Sequence, residues 1–181
     1  KDFMFQQRVW FLKTTPSIDP LTSSGDNIII EQNDNAIYRV KPRTNLEINQ
    51  YWITDEVRYG WKFVHDESRI TEINDDAEIV AADMLQQAKS VALLVSPMLS
   101  CEDAWLLGNL VRGLDSNAII GIGPVPIVGE DKTFKSGFTM RSEKAPNARG
   151  VQRALGDALD YDAWKKQVGN ADTVVITGNY P

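Results

Sequence analysis

The sequence predicts an α/β chain, α+β overall. A small β-rich N-terminal domain leads into the start of a Rossmann-like three-layer α/β domain. Three observations predict it. The first sixty residues hold strand-like runs broken by turn residues. From Asp75 onward the apolar pattern takes on helical spacing. Strand, helix and strand then alternate, the pattern of a parallel sheet covered by helices.

In chain order, Arg8-Val9-Trp10-Phe11-Leu12 reads as the first strand. Thr15 to Asn27, TPSIDPLTSSGDN, reads as a loop shaped to wrap around something. Asn27 to Gln32 and Ala36 to Val40 form a hairpin about an Asn33-Asp34-Asn35 turn, and Pro42 closes it because proline cannot donate to a ladder. Asp75 and Asp76 supply cap candidates for a helix whose apolar face is read as Ile79, Val80, Ala82, Asp83, Met84, Leu85 and Ala88. Ser90 to Ser96 is a buried strand stopped by Pro97. Ser100 caps the next helix, with Asp103 completing an approximate capping box. Trp105, Leu106, Leu107, Leu110 and Val111 form its core stripe, and Gly113 ends it. Asn117 to Ile122 is a strand, Val151 to Leu159 and Tyr161 to Val168 are short helices, and Asp172 to Thr177 is the last strand. Val125 to Gly150 is a long polar connection of the kind that is functional or packs on another part of the protein.

Composition narrows the function. A net charge of −6 argues against nucleic-acid binding and against an anionic membrane surface. One cysteine, Cys101, and one histidine, His65, cannot supply the four His or Cys ligands of a structural zinc site. The longest apolar run, Val91 to Val95, is far short of the roughly 20 residues that span a bilayer. Neither end reads as a natural terminus, so the chain is expected to be a piece of something longer.

Several groups invite a chemical reading. Gly121-Ile122-Gly123 follows a strand, as a dinucleotide fingerprint would, but Pro126 takes the third glycine position and removes an amide. A glycine-rich strand exit is preferred. Cys101 near a helix start is read as a buried or half-buried structural thiol. His65 is read as solvated or hydrogen-bonded. Asp75-Asp76 and Glu102-Asp103 are explained by helix-end electrostatics. Glu143 to Gly150 either forms a turn stabilised by Asn147 and Gly150 or docks a neighbour.

The opening loop, taken with Glu47 to Gly60, resembles the iron–sulfur segment of the molybdopterin oxidoreductase family. There Cys-x-x-Cys-x-x-x-Cys and a later Trp-Ile-Cys-Asp-like phrase hold a four-iron cluster. The matching positions are Asp19, Thr22, Asp26 and Thr54. The surrounding frame remains, with Pro20, Gly25, Asn27, Trp52-Ile53, Asp55, Arg58 and Gly60. Arg8-Val9-Trp10, Tyr38 to Arg43, Ser68 to Thr71, Gly129 to Lys132 and Glu143 to Val151 extend the likeness to the large iron–sulfur subunits of respiratory NADH:quinone oxidoreductase, complex I.

The resemblance implies two domains, residues 1–62 as a degenerate 4Fe-4S type domain and 75–181 as a partial molybdopterin-oxidoreductase-like domain. It implies a structural and docking segment of the peripheral arm, with no catalytic or metal-binding residue. No cofactor is expected in this stretch, the 4Fe-4S clusters, FMN and NADH belonging to the rest of the assembly. The implied partners are other domains of the same subunit and other peripheral-arm subunits, without nucleic acid or direct membrane insertion. The implied place is the cytoplasmic side of the inner membrane. Soft iron takes thiolate sulfur, so hydrogen bonds made by Asp19 and Asp26 are expected to organise the loop instead. A piece of a formate dehydrogenase or nitrate reductase type subunit is the alternative.

Overall fold

A two-residue turn organises the N-terminal part of the computed structural model, which describes residues 3–178 apart from 71, 73 and 74. Asp34 and Asn35 take φ of 49° and 62°. Asn and Asp tolerate this left-handed region, and two such residues in succession match the twist of a hairpin. The turn joins β2 (Asn27–Asn33) to β3 (Ala36–Pro42). β1 (Lys13–Ile18) pairs antiparallel with β2, giving the order β1-β2-β3. Ile28 and Val40 face a small core with Ile53 and with Val57 of α1 (Asp55–Tyr59), and Ile30 and Trp61 pack at its margin.

The first strand is not where the sequence placed it. Val9–Phe11 form an exposed 3₁₀ turn, and the strand runs Lys13–Ile18, overlapping the stretch read as loop from Thr15 onward. Pro16 lies in that strand opposite Ile29. β1 is an edge strand, and an edge admits a residue without an N–H.

The second sheet is parallel, as expected. β4 (Val91–Val95) lies between β5 (Ile119–Ile122) and β8 (Thr173–Ile176). All five residues of β4 are buried, because both faces are covered. Val91, Leu93 and Val95 face a core built from α3 (Cys101–Leu114) and α4 (Ala148–Leu155). Ala92 and Leu94 face Trp164 of α5 (Tyr161–Gln167). Ser100 caps α3 by accepting from Asp103 N at 3.0 Å.

The core stripe of α3 differs from the expected one. Ala104, Gly108 and Val111 are its buried residues, whereas Trp105, Leu106 and Leu110 are more than half exposed. A Cβ on Gly108 would lie 2.7 Å from Leu155 Cδ2, so close approach to α4 selects small residues on that face. The helix also runs through Gly113, and Asp115 is its C-cap. α2 (Asp75–Gln87) forms where expected, but Ile79, Val80 and Met84 are exposed. Asp75 and Asp76, expected as caps, are instead its first two residues, and the exit turn expected at 179–181 lies outside the described residues.

Within the long connection, β6 (Lys132–Thr133) and β7 (Thr139–Met140) form a short hairpin. The chain divides into two compact units. One is Lys1–Arg69 with Pro126–Pro146, and the other is Ile70–Val125 with Asn147–Pro181.

Gly121 is a glycine for packing, since a Cβ there would sit 2.5 Å from Trp164 Cδ1. Gly121→Ala is expected to lower stability by about 1–3 kcal/mol. Urea unfolding followed by tryptophan fluorescence checks this, and an unchanged midpoint would refute the packing role.

Candidate functional site

The loop between β1 and β2 has the buried polar character of a site. Asp19, Thr22 and Asp26 are each no more than 2% exposed. Asp19 N donates to Asp26 O at 2.8 Å and closes the loop. Asp19 Oδ1 accepts from the amides of Leu21 (2.8 Å) and Thr22 (3.3 Å), an Asx-type turn. Asp19 Oδ2 accepts from the Thr22 hydroxyl. Ser24 N donates to Thr22 Oγ1 at 3.2 Å, and Gly25 takes φ +68°, which glycine adopts without a steric penalty. Asp26 Oδ2 is buried and has no hydrogen-bond partner.

Two neighbouring pieces, Asn49 and the 126–146 segment, hold this loop. Asn49, fully buried, accepts from Asn27 N at 3.1 Å, and its Nδ2 lies within 3.3 Å of the Asn27, Arg43 and Trp52 carbonyls. Thr54 caps α1, its Oγ1 accepting from Val57 N at 3.2 Å. The 126–146 segment lies against the loop. Ser23 N donates to Glu143 O at 3.1 Å, and Arg141 N donates to Ser24 Oγ at 3.4 Å. Lys144 Nζ pairs with Glu56 Oε2 at 2.6 Å. Asp131 braces this segment by accepting from Ser142 N (2.8 Å) and Arg141 Nη1 (2.6 Å). These bonds hold its carboxyl down at about 2, the Ser142 amide first among them.

Burial raises the Asp19 carboxyl above the ordinary carboxylate range, against the lowering effect of its hydrogen bonds, with Glu56 adding a small upward push. Burial, reinforced by the charge of Asp19, pushes Asp26 up to about 7. Two acidic groups therefore face a common interior with little to neutralise them.

The structure brings Asp19, Thr22 and Asp26 together in one loop. Thr54 instead spends its oxygen on a helix cap. Nothing in the sequence assigns Asn49 or the 126–146 segment to this loop. A buried asparagine between polar neighbours carries no periodicity, and no spacing rule says which loop a distant segment covers. Cys101 is exposed, not buried, as the first residue of α3; its Sγ lies 3.5 Å from Asn147 Nδ2. His65 is exposed and accepts from Ile37 N at 2.9 Å. Asn147 donates to Leu99 O at 2.7 Å, a long-range bond to the segment before α3 and not the local turn expected of it. Among the described residues, no three His, Cys, Asp or Glu side chains converge as a metal site. No described helix is long and apolar enough to cross a membrane.

Residues 12–62 match the family model described as NADH-ubiquinone oxidoreductase NDSU1/NuoG-like, 4Fe-4S domain. The G subunit of NADH-quinone oxidoreductase from Rickettsia felis is 28% identical over 130 residues, covering 65% of this chain and 19% of that protein. The NADH dehydrogenase (ubiquinone) iron-sulfur protein 1, mitochondrial, of Solanum tuberosum is 29% identical over 162 residues, or 78% of this chain and 21% of that protein. The 75 kDa subunit of NADH-ubiquinone oxidoreductase from Acanthamoeba castellanii is 43% identical over 61 residues, or 34% of this chain and 9% of that protein. The chain thus spans about a fifth of the length of the first two relatives.

The β-rich segment, residues 12–62, is similar to the 4Fe-4S domain that this family model describes. More narrowly, the chain is similar over 65% of its length to the G subunits of NADH-quinone oxidoreductase from two Rickettsia species.

One expectation is corrected. The sequence points to no cofactor in this stretch, but the match to a 4Fe-4S domain marks it as an iron–sulfur-binding type of region. The side chains of the loop are a separate matter of chemistry. Thr22 and both oxygens of Asp19 are engaged in one network, Thr54 caps a helix, and Asp26 offers a lone oxygen. This oxygen set does not fit the thiolate ligation of a four-iron cluster.

Asp26 yields a pH dependence. Its folded value lies above its ordinary 3.8, so its contribution to stability is fully present below that value and is lost as pH rises toward about 7. In chelator-treated buffer, the melting temperature is expected to fall across this window, and to fall less in Asp26→Asn. Parallel pH profiles for the two proteins would contradict the assignment.

Proposed function

We propose that the chain is a structural and docking segment of the large peripheral-arm subunit of an NADH:quinone oxidoreductase. It takes part in respiratory electron transfer through the assembled complex. Residues 1–62 act as an iron–sulfur-type domain in which positions 19, 22, 26 and 54 stand where thiolates would. Residues 75–181 contribute part of a molybdopterin-oxidoreductase-like layer. The partners are further domains of the same subunit and other peripheral-arm subunits, on the cytoplasmic side of the inner membrane. No residue of the chain is given a catalytic role.

The observation that supports this reading is the hydrogen-bonded core of the loop. Asp19 and Thr22 close the turn from within, and the 126–146 segment lies over it. Such a loop is built as a scaffold. The similarity to NADH dehydrogenase relatives, which reaches 78% of the chain in the Solanum protein, supports the placement.

Affinity purification of the full-length parent chain from its native membrane tests the proposal. Co-purification with peripheral-arm subunits and NADH-oxidising activity is the expected result. Stoichiometric molybdenum with formate or nitrate turnover would replace the reading with a molybdopterin enzyme. The positional reading has its own check. A variant with Cys at positions 19, 22, 26 and 54 is expected to take up about four irons and four sulfides on anaerobic reconstitution. Failure of a folded quadruple variant to exceed the parent's iron content would remove the correspondence.

A further inference from the structure

Asp26 Oδ2 is an anionic oxygen sealed from solvent without a donor. Such a group needs a counter-charge: a basic side chain, a proton or a cation. The basic side chains around the loop are directed elsewhere. Lys144 pairs with Glu56, Arg141 with Asp131, and Arg43 Nη2 donates to Asn27 Oδ1 at 2.5 Å. Arg43 Nε is itself buried without a partner, so it does not reach Asp26.

The side-chain donors of the loop that Asp26 closes are oxygen. Asp19 Oδ2 and Thr22 Oγ1 are joined to each other, and the charge of Asp19 acts on Asp26. Thr22 Oγ1 lies 3.0 Å from Ser24 Oγ. Two carboxylates and a hydroxyl, drawn together by the Asp19 N to Asp26 O closure, are the ligand types of a hard divalent ion. Waters complete the six or more ligands such an ion takes.

We propose that Asp19, Thr22 and Asp26 bind a hard divalent cation of the calcium, magnesium or manganese class, with Asp26 Oδ2 as its anchoring ligand. The ion draws the Thr22 hydroxyl and the Asp19 carboxylate from each other onto the metal. Its charge cancels the repulsion between the two acids, and the amide bonds to Asp19 Oδ1 keep the turn in place. The inference goes beyond the assembly reading and holds or fails on the isolated chain.

The test uses the 181-residue chain stripped with EDTA and exchanged into chelator-free buffer. CaCl2, MgCl2 and MnCl2 are titrated separately, with KCl at matched ionic strength as control. Thermal melting and isothermal titration calorimetry are the readouts, and the arms identify which ion is preferred. A saturable rise in melting temperature with one ion per chain is expected for at least one of the three. Asp26→Asn keeps the side-chain shape and is expected to lose the response while retaining its circular dichroism spectrum. Glu67→Gln removes an exposed charge from the same unit, away from the loop, and is expected to keep it. No saturable response to any of the three ions overturns the proposal, as does a response that survives in Asp26→Asn. Stability that rises on acidification but ignores all three ions in the parent also overturns it, and shows that a proton fills the role.

Discussion

The turn from β1 to β2 is closed by a buried carboxylate. Asp19 lies at the end of an edge strand, and its Oδ1 accepts two amides that would otherwise be buried without partners. An orphaned buried amide costs about 1–3 kcal/mol, comparable to a large share of a small domain's stability. The carboxylate cannot simply be replaced by an apolar group of similar size. Once Asp19 is committed, Thr22 is drawn in to serve its second oxygen, and Asp26 is drawn in through its carbonyl. The carboxylate at position 19 follows from the need to close the loop.

Closure has an effect on the rest of the unit. A loop that satisfies its amides from within offers few donors to solvent, so a neighbour can lie on it. The 126–146 segment does so through backbone groups at Ser23 and Glu143, and through the Lys144–Glu56 pair. Asn49 works from the other side and binds three carbonyls that belong to no regular ladder. The small core of Ile28, Val40, Ile53 and Val57 is modest in size, and polar connections of this kind carry part of the burden of uniqueness.

How much of this is legible in the sequence depends on the periodicity of each signal. The β2–β3 hairpin is readable because Asn33-Asp34-Asn35 sits between alternating strands. The parallel sheet is readable because Val91 to Val95 is wholly apolar and flanked by helices. β1 is hidden because Pro16 argues against a strand unless the strand lies at an edge, and edge position is a tertiary fact. The α3 stripe misleads because its large apolar residues promise a core they do not enter. The true interface with α4 needs Gly108, whose contribution is the absence of a side chain. In the candidate site, the loop and its acidic positions are visible through family resemblance. The cap made by Thr54, the hub at Asn49 and the cover from 126–146 are not, since each depends on contacts that no local pattern encodes.

The frame around the loop explains how donors of such different chemistry can occupy one backbone. Gly25 takes a positive φ, Asn27 bridges to Arg43 and Asn49, and Ile53 belongs to the core beside α1. None of these tasks refers to a metal ligand. On the proposed correspondence, a loop whose course is set by such contacts would keep its path whether sulfur or oxygen stood at positions 19, 22 and 26. The substitution then changes which ions the interior favours: thiolates select soft iron, whereas carboxylate and hydroxyl oxygens select hard cations. The buried Asp26 oxygen is where the two demands meet, because it belongs to the frame by position and to the ion by charge.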